Sequence, residues 1–359
     1  MLLYGLSAVL ILSIGVPIFL WRRSPRDQDN VATEIEEQHD SSQQRPTASI
    51  PFKTEATVAI QDELYKLAFG VTRIDYQILG EHQRVLRATQ DAIPGAMNEP
   101  RYFPRKPALL PKLLRAINTL ESGRNEIVRL ILQDAVLAGN VLKRANSVFY
   151  RQSHEDVIES IDRAVTLLGN EGLRAPVASA VMQPVFQLPV GFFEHFAPIT
   201  WEQARRTAVA AEEFARARKS ADAFVAHLAG MLGSLGRIVL FRLANDKYRQ
   251  KGNIMPRPEV FIRVMIDNGT QVTRAIAAAW EMSAAFLEAL DAQVQGTPPQ
   301  SMSPLASTVY YANLCGALAT LNCHGLHTAE DAQRLLTTQG LNDETFTRVW
   351  QAATHSEIS

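Results

Sequence analysis

Eight histidines, two cysteines and a scatter of carboxylates could hold a metal or move a proton here, and their spacing decides whether they can. The histidines are His39, His82, His154, His195, His227, His324, His327 and His355. One local cluster has suitable ligand types: Cys323-His324 and His327, with Cys315 upstream. Structural zinc is usually held by four ligands at paired, short spacings. The gap from Cys315 to Cys323 is too long for that. Cys315 also sits among Leu314, Ala317 and Leu318, where a small buried thiol is expected. His227 lies one turn before Gly230 and could be a lone metal ligand, but it has no partner near in sequence. A satisfied or surface histidine is the simpler expectation. No phosphate-cradling P-loop and no GxSxG nucleophile elbow is found. Glu288 and Asp291, three apart, suit a solvated helix face. Arg205, Arg206, Arg216, Arg218 and Lys219 are interspersed with Glu212 and Glu213, and an exposed mixed-charge helix is expected. A nucleotide or phospholipid site is the alternative there.

The elements that position these groups are helical. Leu64, Leu67, Val71, Ile74 and Ile78 fall at spacings of three and four, and Val85 lies about two turns further on. A helical N-terminal extension over 54–95 is therefore expected, ended by Pro94-Gly95. It is long enough for a helical hairpin or a dimerising helix. A proline-rich loop follows over Asn98–Pro107, and helical patterns resume from Ala108 nearly to the C-terminus. Ser303-Pro304 reads as an N-cap with proline at the first helical position. Thr328 to Asp331 resembles a capping box. Gly252, Gly296 and Gly325 mark breaks. Alternating β-branched patterns are almost absent, so the chain is expected to be all-α. No repeat of fixed period is evident.

Residues 1–21 carry no charge, and Arg22, Arg23 and Arg26 follow at once. A run of about 20 apolar residues matches the length of a helix crossing a bilayer. No basic residue precedes the run, and Trp21-Arg22-Arg23 is a poor cleavage site, so an uncleaved anchor is expected rather than a signal peptide. The flanking arginines place the N-terminus outside and the body in the cytoplasm. No comparable run is expected further along. Residues 22–53 are rich in Ser, Gln, Glu and Asp and read as a flexible tether. The formal net charge of -1 offers no general attraction to nucleic acid. Two cysteines cannot make a disulfide framework, which suits a reducing compartment.

Three strings carry a family resemblance: Ile131-Leu-Gln-Asp134-Ala-Val-Leu-Ala138, Leu142-Lys-Arg-Ala-Asn146-Ser147-Val-Phe149-Tyr150 and Ile158-Glu-Ser-Ile161-Asp-Arg-Ala164-Val-Thr-Leu-Leu168-Gly169. Together they resemble the HDOD domain, a bacterial relative of the HD phosphohydrolases, with the similarity extending over 104–354. Their apolar stripes agree. Ile127, Leu130 and Ile131 form one, and Leu137, Val141 and Leu142 form the next, so an antiparallel helix pair is expected. Asn146 and Ser147 lie beside this core, where helix capping or backbone bonding is expected and a ligand contact is the alternative.

The resemblance also implies where metal ligands would stand. An HD enzyme needs several histidines and a His-Asp pair to hold a divalent ion that activates water. The pair's positions fall on Gly233 and Ser234. Another ligand position falls on Gln203, two residues after Trp201. Asp267-Asn-Gly269 lacks a further histidine, Ser283 replaces a proline after Trp280, and a later His pair is replaced near Val294-Gln295. The implied fold is a multi-helix HDOD/HD-like bundle behind one transmembrane helix. The implied function is a non-enzymatic signalling module, without cofactor or metal, acting on an unidentified, separate signalling protein at the inner membrane. The alternative is a sensor that binds a small nucleotide in the former metal pocket without hydrolysing it. Gln203, Gly233, Ser234, Asn146 and Ser147 are the candidate ligand or interaction residues. A nucleic-acid partner is not expected, and homo-oligomerisation is left open.

Overall fold

The structure is a computed structural model that describes residues 55–102, 124–133, 135–146, 157–188, 191–295, 297–341 and 345–355. The expected anchor (1–21) and tether (22–53) lie outside these residues, as does Ser147. The described elements are helices and one 3-10 turn, with no strand among them, as the sequence predicts. In chain order they are α1 (Glu55–Phe69), α2 (Gly80–Ala96), α3 (Arg124–Leu132), α4 (Ala135–Ala145), α5 (Ile161–Phe186), α6 (Phe196–Arg218) and α7 (Ala223–Leu232). Then follow α8 (Leu235–Lys251), α9 (Pro258–Ala279), α10 (Ala284–Gln295), α11 (Pro304–Cys323), α12 (Ala329–Thr338) and α13 (Phe346–His355). The expected caps are present. Ser303 Oγ accepts from the Ala306 amide at the start of α11, and Thr328 and Asp331 form a reciprocal capping box on α12.

Helix α6 is the axis of the larger core. It packs against α7, α11 and α13, and small residues make this approach close. Ala204, Ala208, Ala211 and Ala215 are all fully buried. Opposite them stand glycines. A Cβ added at Gly230 of α7 would lie 2.9 Å from Ala208 Cα, and one at Gly316 of α11 would lie 2.7 Å from Thr207 Cα. Neither neighbour is a flexible side-chain tip, so both positions require glycine for packing. The same device joins α8 to α9, where a Cβ on Gly236 would lie 2.9 Å from the Thr273 amide nitrogen.

This burial corrects the expected mixed-charge helix. Arg206 is only 2% exposed, and Glu202 is buried with it. Their side chains pair at 2.8 Å within α6. Arg206 also donates to the carbonyls of Ala353 (2.6 Å) and Thr354 (3.0 Å) in the last turn of α13. Helix C-termini leave carbonyls without intrahelical partners and carry partial negative charge, so a guanidinium suits them. Glu212 and Glu213 are largely shielded too, and both pair with Arg216. Only the Arg216 and Lys219 end of the cluster is exposed. The helix hides its charges because it is surrounded by other helices and because Glu202 pairs with Arg206 and Glu212 and Glu213 pair with Arg216.

The N-terminal extension is two helices, and it belongs to the body. The chain leaves helical geometry at Gly70, whose φ of +65° suits glycine. It resumes at Gly80 and runs through Pro94 to Ala96, one residue past the expected end at residue 95. Phe69 enters an aromatic cluster, with ring centroids 5.0 Å from Phe193, 5.1 Å from Phe196 and 6.0 Å from Phe261. Polar contacts fasten α2 and its flanks. His82 Nδ1 lies 2.9 Å from Tyr248 Oη, Tyr102 Oη donates to Asp246 at 2.7 Å, and Gln90 Nε2 donates to Asp267 at 3.3 Å.

A smaller core joins α3, α4 and the start of α5 through Ile127, Ile131, Leu137, Val141, Val165 and Leu168. These are the expected stripes. Helix α5 is not straight, because Gly169 inside it has a φ of +61°. One internal stretch, Ala223–Lys251, is also long and apolar enough to cross a membrane, contrary to expectation. It is mostly buried within the bundle and comprises α7 and α8, so it is a core element.

The glycine contacts give a direct test. Gly316→Ala should lower stability by about 1–3 kcal/mol through overpacking against Thr207. Gly139→Ala should leave it unchanged or raise it by up to about 1 kcal/mol, because the position is helical and an added Cβ meets nothing within 4 Å. Urea unfolding monitored by circular dichroism checks both.

Candidate functional site

The junction of α7 and α8 builds the site. The 230–236 stretch leaves α7 at Gly233 and enters α8 after Ser234, with both residues in right-handed helical geometry. Close packing at Gly230 and Gly236 fixes this junction against α6 and α9. Facing it is a cavity of about 470 Å³ whose walls come from α1, α6, α8, α9, α10 and α11. Gln203, Gly233, Asp267, Gly269 and Val294 all line it. Five positions selected from separate parts of the sequence thus meet around one space. Ser234 is 4% exposed and joins them through a hydrogen bond.

Arg237 organises the polar side of the cavity, and sequence reasoning did not single it out. Its Nη2 donates to Gln203 Oε1 at 2.6 Å and to Ser234 Oγ. The Tyr65 side chain, from α1, favours the charged form of this guanidinium. Burial pushes the guanidinium's pKa down from its usual value, against the stabilising contribution of Tyr65. A guanidinium stays protonated in a protein nonetheless. A signal was available: Arg237 is the only charged residue between Asp222 and Arg242, in an otherwise apolar run. It also stands three residues after Ser234 and four after Gly233, on the same helical face.

Asn146 lies elsewhere, beside the smaller core. Its Nδ2 donates to the Leu142 and Ile158 carbonyls, at 2.9 and 2.8 Å, and its Oδ1 accepts from the Ile158 amide at 2.8 Å. These bonds tie the end of α4 to the segment before α5, and Asn146 does not line the cavity.

The histidines do not assemble. His324 Nε2 lies 3.1 Å from Glu202 and His327 pairs with Glu63, while Cys315 is buried and Cys323 is exposed. Burial pushes the Cys315 thiol up to about 12, which makes it an inert core group. Among the described residues, no three His, Cys, Asp or Glu side chains converge to hold a metal ion. His227 is 2% exposed, with Nδ1 2.9 Å from Glu212 Oε2. Glu288 is exposed, as expected of a solvated face, and accepts from Ser303, while Asp291 pairs with Arg274.

The described bundle defines an all-helical protein. The HDOD domain family matches residues 103–295, more than half of the chain, and the chain belongs to that family. An uncharacterized protein of Treponema pallidum (strain Nichols) is 27% identical over 221 residues, which cover 59% of this chain and 42% of that protein. The chain therefore matches less than half the length of that relative. Two solved structures share the fold. One, from Shewanella amazonensis SB2B, is described as a candidate metal-dependent phosphohydrolase (TM-score 0.54, 15% identity, covering 76% of this chain and 97% of that one). The other is an HDOD domain protein of unknown function from Geobacter sulfurreducens (TM-score 0.50, 18% identity, covering 77% and 90%).

The pair at Glu212 should be visible in acid. Burial alone would raise this carboxyl, but the His227 hydrogen bond and the charges of His227, Arg216 and Arg144 together hold it below the ordinary value of 4.5. A depressed carboxyl contributes stability that is present above the unfolded pKa and lost as pH falls through the folded one. Glu212→Gln should therefore cost about 1–3 kcal/mol at pH 7. Its loss of stability below pH 4.5 should be shallower than that of the wild type. Thermal melts of both proteins across that range check the sign.

Proposed function

We propose that this chain is a non-enzymatic regulatory module, acting through contact with a separate signalling protein and held at the inner face of the cytoplasmic membrane by residues 1–21. One observation carries the non-enzymatic part. The cavity where the HD pattern would gather metal ligands offers the neutral residues Gln203, Gly233 and Ser234 and a guanidinium bonded to two of them. A divalent ion there would face a fixed positive charge and lack an imidazole-carboxylate pair. Membership of the HDOD family supports a regulatory role rather than hydrolysis. The uncharged N-terminal run and the arginines after it support the anchor, with the N-terminus outside and the body cytoplasmic.

A second reading is favoured by the cavity's volume. Loss of metal ligands could have been followed by collapse of the pocket, yet about 470 Å³ remains open. Small-molecule sites occupy roughly 300–1,000 Å³. The module is then a sensor, holding a small anionic ligand without cleaving it, with a nucleotide the case expected from sequence.

The full-length protein, purified without chelator in a neutral detergent, tests the main reading. Elemental analysis should find far less than one Fe, Mn, Ni or Zn per chain, and phosphodiester substrates should show no turnover with added Mn²⁺. Stoichiometric metal accompanied by hydrolysis would overturn it. In cells, the full chain should sediment with membranes and resist carbonate extraction, whereas a chain starting at residue 54 should not sediment.

A further inference from the structure

The ligand's chemistry can be narrowed; this step rests on the sensor reading above. Arg237 and Asp267 are the cation and the acid among the cavity's walls. Asp267 is already neutralised, with Arg263 at 2.7 Å and Gln90 donating to it. Among the described residues Arg237 bonds only Gln203 and Ser234, both neutral, and no Asp or Glu pairs with it. Enclosing a cation without a counter-charge is unfavourable, and an entering anion would remove that cost.

The walls also limit the anion's size and charge. A single guanidinium balances one negative charge, and its planar fork fits a carboxylate through two parallel hydrogen bonds. Around it lie Ile60, Leu64, Met265, Ile266 and Leu314, which offer an apolar surface and no second cation. A nucleotide's phosphates would bring further charge with nothing basic to meet it. We propose that the cavity binds a small organic monoanion, with its carboxylate on Arg237 and an apolar body against α1 and α9. Because Ile60, Leu64 and Tyr65 belong to α1, such a ligand would also clamp α1 onto the rest of the bundle.

The test uses the full-length chain in neutral detergent, with hexanoate and benzoate as probes at millimolar concentration. Acetate, hexylamine, GMP and cyclic di-GMP serve as comparisons. Hexanoate or benzoate should raise the melting temperature saturably by a few degrees, because a ligand of the folded state stabilises it. Amide exchange in α1 should slow. Acetate, lacking the apolar body, and hexylamine, carrying the wrong charge, should do neither. Arg237→Met should abolish the shift. Gly233→Leu should abolish it with Arg237 intact, by filling the space, and an added Cβ there meets only ordinary contacts. If Arg237→Met misfolds, Gly233→Leu still decides. No carboxylate shift in the wild type, or a shift that survives a folded Gly233→Leu, overturns the proposal. A shift with the nucleotides alone also overturns it while leaving the sensor reading intact.

Discussion

The fold depends on how closely α6 can be approached. Thr207 and Ala208 meet α7 at Gly230 and α11 at Gly316, with no room at either point for even a methyl group. That contact sets the distance between three helices, and the rest of the larger core is assembled around them. It also decides where Gln203 points, one turn before Thr207 on the same helix. On the other side, the α7–α8 junction is held by Gly230 against α6 and by Gly236 against α9. The cavity is the space left between surfaces fixed in this way.

Within that frame, one side chain sets the chemistry. A metal site gathers anionic and imidazole ligands around an external cation. Here the cation is covalently part of the protein, and Gln203 and Ser234 turn neutral oxygens toward it. Helix α1 completes the cavity wall through Ile60, Leu64 and Tyr65.

Much of this was legible in the sequence because it rests on local patterns. The helix stripes, the caps at Ser303 and Thr328, and the family strings depend on residues near one another in the chain. The convergence of Gln203, Gly233, Asp267, Gly269 and Val294 was legible for another reason: a family pattern already encodes long-range placement. What was missed depends on contacts between distant segments. The charges of α6 look solvent-exposed until α13 lays its C-terminus on Arg206. Residues 54–95 show periodicity but not the aromatic cluster that Phe69 enters. Arg237 belongs to none of the ligand positions that the family pattern marks. Its isolation in an apolar run was the available clue.

The most direct measurement is a crystal structure of the protein grown with Mn²⁺, with anomalous data collected at a wavelength that reveals the ion. No anomalous peak is expected in the cavity, with the Arg237 guanidinium bonded to Gln203 and Ser234. A manganese peak coordinated between the α7–α8 junction and Asp267, with Arg237 swung away, would contradict it.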